Sequence, residues 1–294
     1  MTAQNQSIHA SINGLDIGDG FPPRIMGVLN VSEESFYKGS IVHDDDILSR
    51  ARAMIEEGAT MIDIGGRSTA PAVAPISIDQ ERDRVIDALE NFLADFEKTD
   101  AIVSIDTQFV AVADAAFKVF SRLGKERQFM INDVSGLHAD EGMAGWVADA
   151  GVPVVLMASH GHPGDSLGIA QTIEDIQSSI VLLEAKGYPT TNNVIIDPAI
   201  GHWVTKKDPP FDMDVIRELD RFRVLEKPIL VAISRKSFIG AILQEKDPAE
   251  RLFGSLAATA IAVYNGAHVI RTHDVTKATR DTIAVASAIR TAQF

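Results

Sequence analysis

Eight times along this 294-residue chain, a short apolar run is followed by an amphipathic stretch long enough for a helix. The runs occupy Arg24–Asn30, Met61–Gly65, Ile102–Asp106, Phe129–Asp133, Pro153–Met157, Asn193–Asp197, Pro228–Ser234 and His268–Asp274. Stretches such as VVLM, VIID and ILVAI are apolar without alternation, which predicts strands buried on both faces, as in a parallel sheet covered by helices. Between them, ILSRARAMIEEGA and ERDRVIDALENFLADF carry apolar residues three and four apart. Gly58, Gly151, Gly187 and Gly266 stand where a left-handed residue would stop a helix before the next strand. Eight such units predict an α/β fold, a (β/α)8 TIM barrel held as one domain over residues 21–294. An open doubly wound sheet is the alternative, because a single sequence does not show closure.

Residues 1–20 stand outside the repeat. Within them SINGLDIGDG places Asn-Gly between alternating apolar residues, the strongest short-range hairpin signal, and predicts a small arm covering the bottom of the barrel.

Composition narrows the function. A formal net charge of −14 argues against nucleic acid, whose binding needs a cationic surface. The chain has no cysteine, which excludes disulfides, thiolate metal sites and cysteine nucleophiles, so any metal takes O or N ligands, as magnesium does. No apolar run approaches the roughly 18 residues of a membrane span, and MTAQNQSIHA lacks the regions of a signal peptide, so a cytoplasmic protein is expected.

In a barrel the chemistry belongs at the C-terminal strand ends, and here those ends are polar. They carry Asn30, Asp63, Asp106, Asn132, Asp197, Ser234-Arg235-Lys236-Ser237, and Arg271 with His273. A single Asp closing a strand is often only the cap of the next helix. Asp106, Asn132 and Asp197, however, end apolar strands where an unpaired polar group would cost several kcal/mol, and a ligand with several N–H donors would satisfy them together. Arg235, Lys236, Arg271 and His273 on two neighbouring strands read as an anion site for phosphate or diphosphate; structural ion pairs to Asp63 or Asp274 are the competing reading. Asn30 is an oxygen donor suited to a magnesium ion bridging the same phosphates.

With those residues in view, the chain resembles the dihydropteroate synthase family. IMGVLNVSEESF, MIDIGGRST, VSIDT, MINDVSG, VVLM, IIDPAIG, ISRKSFIG and RTHD follow that family's order over nearly the whole chain, and FYKGS is similar to its archaeal branch, which serves folate-like or methanopterin-like cofactors. The resemblance implies a pterin-binding barrel that joins 6-hydroxymethyl-7,8-dihydropterin diphosphate to p-aminobenzoate, or a related aminobenzene amine, and releases diphosphate. It implies that Asp106, Asn132, Asp197 and Lys236 hydrogen-bond the pterin, with Asp63, Met157 and Arg235 in the same substrate site and Arg271 stacked beside the ring. Asn30 with Mg2+, and Arg271 with His273, would hold the diphosphate; Ser68 and Thr69 would lie near the reacting centre and Ser237 near the aminobenzene. Lys236, Arg271, His273 and Asp106 are the expected catalytic residues, and a homodimer is the expected assembly.

Three loops depart from the family pattern. Lys38 and Arg67 stand where the family has acids, Ala70 where it has arginine, and Gly201-His202-Trp203-Val204 replaces Gly-Phe-Gly-Lys. All three loops would surround the second substrate, so a ribosylated aminobenzene phosphate held by Lys38 or Arg67 is weighed against ordinary p-aminobenzoate. A pterin-dependent methyltransferase holds no diphosphate and so has no use for SRKS together with RTHD, whereas a non-catalytic pterin-binding paralogue would bind pterin diphosphate without releasing diphosphate. His160 and His162 flank glycine in a loop with no third metal ligand evident, Asp44, Asp45 and Asp46 read as a cap of the first helix, and Trp146 reads as packing.

Overall fold

The structure is a computed structural model and describes residues 7–31, 47–68, 74–93 and 99–292. Strands β1 (His9–Ile12) and β2 (Leu15–Gly18) form an antiparallel hairpin. Eight parallel strands follow: β3 (Arg24–Asn30), β4 (Met61–Gly65), β5 (Ile102–Asp106), β6 (Phe129–Asp133), β7 (Val154–Met157), β8 (Val194–Asp197), β9 (Leu230–Ala232) and β10 (Val269–Thr272). The helices are α1 (Ile47–Glu56), α2 (Ile78–Leu93), α3 (Val110–Arg122), α4 (Met143–Ala150), α5 (Ile169–Ala185), α6 (Pro209–Arg217), α7 (Ser237–Leu243), α8 (Leu252–Tyr264) and α9 (Lys277–Thr291). The sheet runs β8-β7-β6-β5-β4-β3-β10-β9, and its two ends meet through a parallel bridge between Ile196 and Ile229, with the Ile196 N–H donating to the Pro228 carbonyl at 2.9 Å. The open sheet is thereby ruled out and the barrel established.

Four strands have the predicted bounds, while β7 to β10 are shorter than their apolar runs. On the seventh run the trimming has a local cause. Pro228 has no N–H to give, and Arg235 takes φ +57, which turns the backbone out of extended geometry. The Asp44–Asp46 cap lies outside the described residues. The glycines expected to stop helices all have positive φ, as at Gly151, the left-handed C-cap of α4.

Alternation along the strands divides the side chains into two cores. One set, including Ile62, Ile64, Val103, Ile105 and Ile131, packs outward against helix residues such as Ala51, Val85, Leu89, Phe92 and Phe120. The other fills the barrel's floor: Met26, Met61, Ile102, Met130, Val155, Ile195, Leu230 and Val269, one from each strand. Below that floor the hairpin inserts Ala10, Ile12 and Ile17, so the predicted arm does cover the bottom of the barrel. Asn13 and Gly14 take φ 51° and 90°, the mirror-image turn that matches strand twist, and the Asn13 amide also donates to the Phe129 carbonyl at 2.9 Å.

Asp19 fastens the hairpin from its far end. Its carboxylate receives Arg223 through two bonds of 2.8 Å, Arg290 at 3.1 Å and the Ile8 N–H at 2.8 Å. His268 faces it at 3.4 Å; because the other ring nitrogen accepts the Ile229 N–H, Nε2 carries the proton toward Asp19. Burial would raise the Asp19 carboxyl, but hydrogen bonds from His268 and Arg223 outweigh it and hold the group well below the ordinary carboxylate range. A depressed carboxyl contributes stability above its unfolded pKa, near 4, and loses it as pH falls through the folded value. Asp19→Asn is therefore expected to cost about 2 kcal/mol at neutral pH and much less in strong acid, measured by urea unfolding at both pH values.

Candidate active site

Two residues beyond the apolar floor, the same inward face turns polar. Asp63 on β4, Ser104 on β5, Asn132 on β6, Asp197 on β8 and Arg271 on β10 occupy this layer, and Asn30, Asp106 and His273 stand one step closer to the rim. Period-two alternation places them there: a strand that contributes Met61 to the floor must also turn Asp63 inward.

Arg271 organises the group. It reaches past β3, which contributes only Val28 at this level, and donates from Nε to Asp63 at 2.6 Å and from Nη2 to Asp106 at 2.8 Å. Asn132 donates its amide N–H to the same Asp63 oxygen at 3.1 Å, which fixes its amide orientation and turns its oxygen away from the carboxylate. Burial pushes the Asp106 carboxyl up; Arg271 opposes this, and the neighbouring Asp63 charge adds to it. Asp63 Oδ1 and Ser104 Oγ are buried without a protein partner.

Lys236 and Asp197 form the facing wall. Asp197 Oδ1 accepts the Ala199 N–H at 2.8 Å, and burial raises its carboxyl against the pull of Lys236. Lys236 donates to the Ile200 carbonyl and lies with Nζ 5.3 Å from the centre of the Trp203 ring. Burial lowers its ammonium to about 8, with Asp197 and Asp212 opposing. Met157, on β7, is buried beside Asp197 in register.

The two glycines after Ile64 have separate tasks. A Cβ on Gly65 would sit at ordinary contact distance, 3.5 Å from the Asp106 Cβ and 3.8 Å from both Asn30 Oδ1 and Asp106 Oδ2, so this glycine marks the point of the rim where Asn30 and Asp106 come together. A Cβ on Gly66 would come within 2.8 Å of the Glu81 carbonyl, so that glycine lets α2 pack closely. Arg67 then turns away from the barrel axis: its Nε pairs with buried Glu81 at 2.6 Å, its guanidinium lies 5.2 Å from the Phe109 ring centre, and Thr107 donates to the other Glu81 oxygen at 2.6 Å. Ser68 is partly exposed beyond it, Ser237 is exposed at the start of α7, and Thr69, Ala70 and Lys38 lie outside the described residues.

The expected cluster of free positive charge needs correction. Arg235 does not face the interior. With φ +57 it points outward, where Asp274 accepts from Nη2 at 2.7 Å and from Nε at 2.8 Å, and the Pro248 and Ala249 carbonyls accept from Nη1 at 2.8 and 2.5 Å. That turn is also what sends the next residue, Lys236, inward. Burial drives the His273 imidazole down to about 3, with Arg271 and Lys236 adding to the effect, so the ring is neutral at physiological pH and faces Ser234 Oγ through Nδ1 at 3.1 Å. The rim therefore offers an anion directed N–H donors more than surplus charge. Nη1 of Arg271 has no protein acceptor among the described residues.

Asp133 does not cap the next helix: its carboxylate accepts N–H bonds from Ser135 at 2.7 Å and Leu137 at 3.1 Å, closing the turn after β6, while α4 begins only at Met143. His160 is turned aside to Asp175 at 2.9 Å, and no group of three metal-ligating side chains occurs among the described residues. Trp146 packs against Phe117 and Phe129, as its position on α4 suggested. Sequence reasoning missed Glu81, which sits on α2 among exposed charges, and Lys207, a buried lysine donating to the Ala199 and Gly164 carbonyls at 2.5 and 3.3 Å. Neither has a signal in its neighbours. If Arg235 is a structural tie, Arg235→Ala loses about 3 kcal/mol of unfolding free energy and Arg235→Lys, lacking the planar fork, does not restore it; an unchanged urea midpoint would return Arg235 to the substrate.

Comparison with known proteins places this arrangement. The profile of the family described as "Pterin binding enzyme" matches residues 26–273. The chain is 34% identical over 280 residues to the dihydropteroate synthase of Bacillus subtilis, covering 94% of this chain and 92% of that protein. It is also 34% identical over 259 residues to the "Probable bifunctional folylpolyglutamate synthase/dihydropteroate synthase" of Haloferax volcanii, covering 85% of this chain but only 29% of that longer protein, so identity favours neither the bacterial nor the archaeal relative. Among solved structures, a dihydropteroate synthase from Coxiella burnetii in complex with pteroic acid superposes with a TM-score of 0.80 at 33% identity, over 97% of this chain and 100% of that one. With the barrel and its polar inner layer already in hand, these matches establish that the chain belongs to the pterin-binding enzyme family.

Proposed function

We propose that this protein catalyses the dihydropteroate synthase reaction, joining 6-hydroxymethyl-7,8-dihydropterin diphosphate to p-aminobenzoate with release of diphosphate. The carrying observation is the inner polar layer. It sets acceptors at Asp197 Oδ2 and the Asn132 amide oxygen beside two cations, Lys236 and Arg271, each already anchored to the protein. A pterin edge carries N–H donors next to a carbonyl acceptor, so the acceptors take the N–H groups and Lys236 donates to the carbonyl. Asp106, beside the ring, stabilises the positive charge that develops there as the C–O bond to diphosphate breaks. The leaving electron pair goes to diphosphate, received by Arg271 Nη1 and a neutral His273; the amine lone pair forms the new C–N bond, and its proton departs with diphosphate or solvent.

Asn30 fits a magnesium ion by donor type: a hard amide oxygen at the rim with the Asp106 carboxylate across Gly65, in a setting where Mg2+ takes few protein ligands and completes its shell with phosphate and water. When bound, the ion would neutralise charge on the departing diphosphate. For the amine, Ser237 and Ser68 flank the mouth. Arg67 is engaged by Glu81, which favours p-aminobenzoate over a phosphorylated ribosyl derivative and a folate-type over a methanopterin-type product.

A second copy of the chain is the proposed partner. Ile261 and Tyr264 of α8 and Val285 and Ile289 of α9 are exposed together around one apolar groove, and Phe253 of α8 is 81% exposed, the kind of surface that a partner covers. Val285→Glu is expected to halve the mass seen by light scattering.

Lys236→Ala should abolish turnover with the melting temperature little changed, because the half-buried ammonium is anchored to the Ile200 backbone carbonyl and not to a carboxylate. The wild-type kcat/KM should fall as pH rises through about 8, where Lys236 loses its proton. The deciding measurement is diphosphate release from pterin diphosphate and Mg2+ with each amine at equal concentration. Preference for the ribosylated amine would overturn the choice of acceptor, and binding without release would overturn the enzyme reading.

A further inference from the structure

The loop after β8 carries an indole that the chemistry above leaves unused. Trp203 is half-buried, and its ring lies 5.3 Å from the Lys236 ammonium. The backbone of Gly164, in the loop after β7, presses so closely on this ring that a Cβ there would fall 2.2 Å from the indole Cγ. Gly164 is held in turn, because its carbonyl accepts from Lys207, which also binds the Ala199 carbonyl, and the Asp212 carboxylate accepts the Gly201 N–H at 2.7 Å. Gly201 matters for a further reason: a Cβ would sit 3.0 Å from Lys236 Cδ and Nζ and would push the lysine from its place, so the missing side chain lets Lys236 lie close against the loop.

We propose that Trp203 is a positioning residue for Lys236: the clamped indole and the Ile200 carbonyl together hold the lysine in the one extended pose that presents its ammonium to the pterin. This rests on the functional reading above, which puts Lys236 against the substrate. The physical need is plain. A free lysine side chain has rotamer entropy to lose on being fixed, and the attraction of a partly desolvated ammonium to an indole offsets much of that loss before substrate arrives. The charged groups that face Lys236 are Asp197 on β8, Asp212 on α6, Lys207 in the loop and Arg271 on β10. None of them supplies a flat surface that restricts where the ammonium lies.

The chain has two tryptophans, and Trp146 packs on α4 away from the site, so Trp146→Phe makes Trp203 the sole indole reporter. Its fluorescence in the substrate-free protein is expected to show a transition near pH 8, which disappears when Lys236→Met is added. In the otherwise wild-type protein, Trp203→Leu is expected to raise KM for pterin diphosphate about tenfold, with kcat and the KM of the amine changing far less, while Trp203→Phe restores most of the loss. A missing transition, one that persists in the Lys236→Met protein, or Leu and Phe variants with equal KM would each overturn the proposal. If the transition vanishes with Lys236 but the wild-type protein binds no pterin diphosphate, the contact stands and the functional reading falls instead.

Discussion

Closing eight parallel strands into a ring forces half of their side chains into one confined interior, and everything distinctive about this protein follows from how that interior is divided. The lower layer takes one apolar residue from each strand and is sealed from beneath by Ala10, Ile12 and Ile17 of the hairpin. The next layer takes Asp63, Asn132, Asp197 and Arg271. Neither layer could exist without the other. An apolar floor excludes water from below, and that exclusion makes the charges above it expensive unless they are paired, and strong once they are.

The pairing is close to complete without a ligand. Arg271 is shared by Asp63 and Asp106, and Lys236 sits within electrostatic reach of Asp197, so each of these charges faces an opposite one. What stays uncommitted among the described residues is atomic detail, including Nη1 of Arg271, Oδ2 of Asp197, the Asn132 amide oxygen and the buried Asp63 Oδ1 and Ser104 Oγ. A substrate entering such a site completes an existing network instead of neutralising a bare charge. The same economy explains why Arg235 and Asp274 hold each other outside the ring, where their pairing shapes the turn that delivers Lys236.

Close backbone approach does for the loops what alternation does for the strands. Gly66 lets α2 come up to the end of β4, and Gly164 and Gly201 let an indole and a lysine cross the mouth between the β7 and β8 loops. These contacts bring the ends of distant segments to the same rim, the place where a barrel gathers its chemistry.

Much of this was legible in the order of residues. Strand runs such as MIDIG and IVSID could be read from apolar continuity, the hairpin from Asn13-Gly14, and the polar strand ends from Asp63, Asp106, Asn132 and Asp197, because each signal is local and repeats with the period of its element. The fate of the cations was not legible. Arg235 and Lys236 are neighbours with the same charge, and only a left-handed backbone at Arg235 sends one outward to Asp274 and the other inward. His273 reads as a possible cation until burial beside Arg271 removes its proton. Glu81, Lys207 and Trp203 acquire their partners from segments 8 to 43 residues away along the chain, contacts that no periodicity of helix or strand announces. The sequence by itself therefore determined which elements form and which face of each is polar, while tertiary structure decided which charges neutralise one another, because that depends on distances that exist only once the ring has closed.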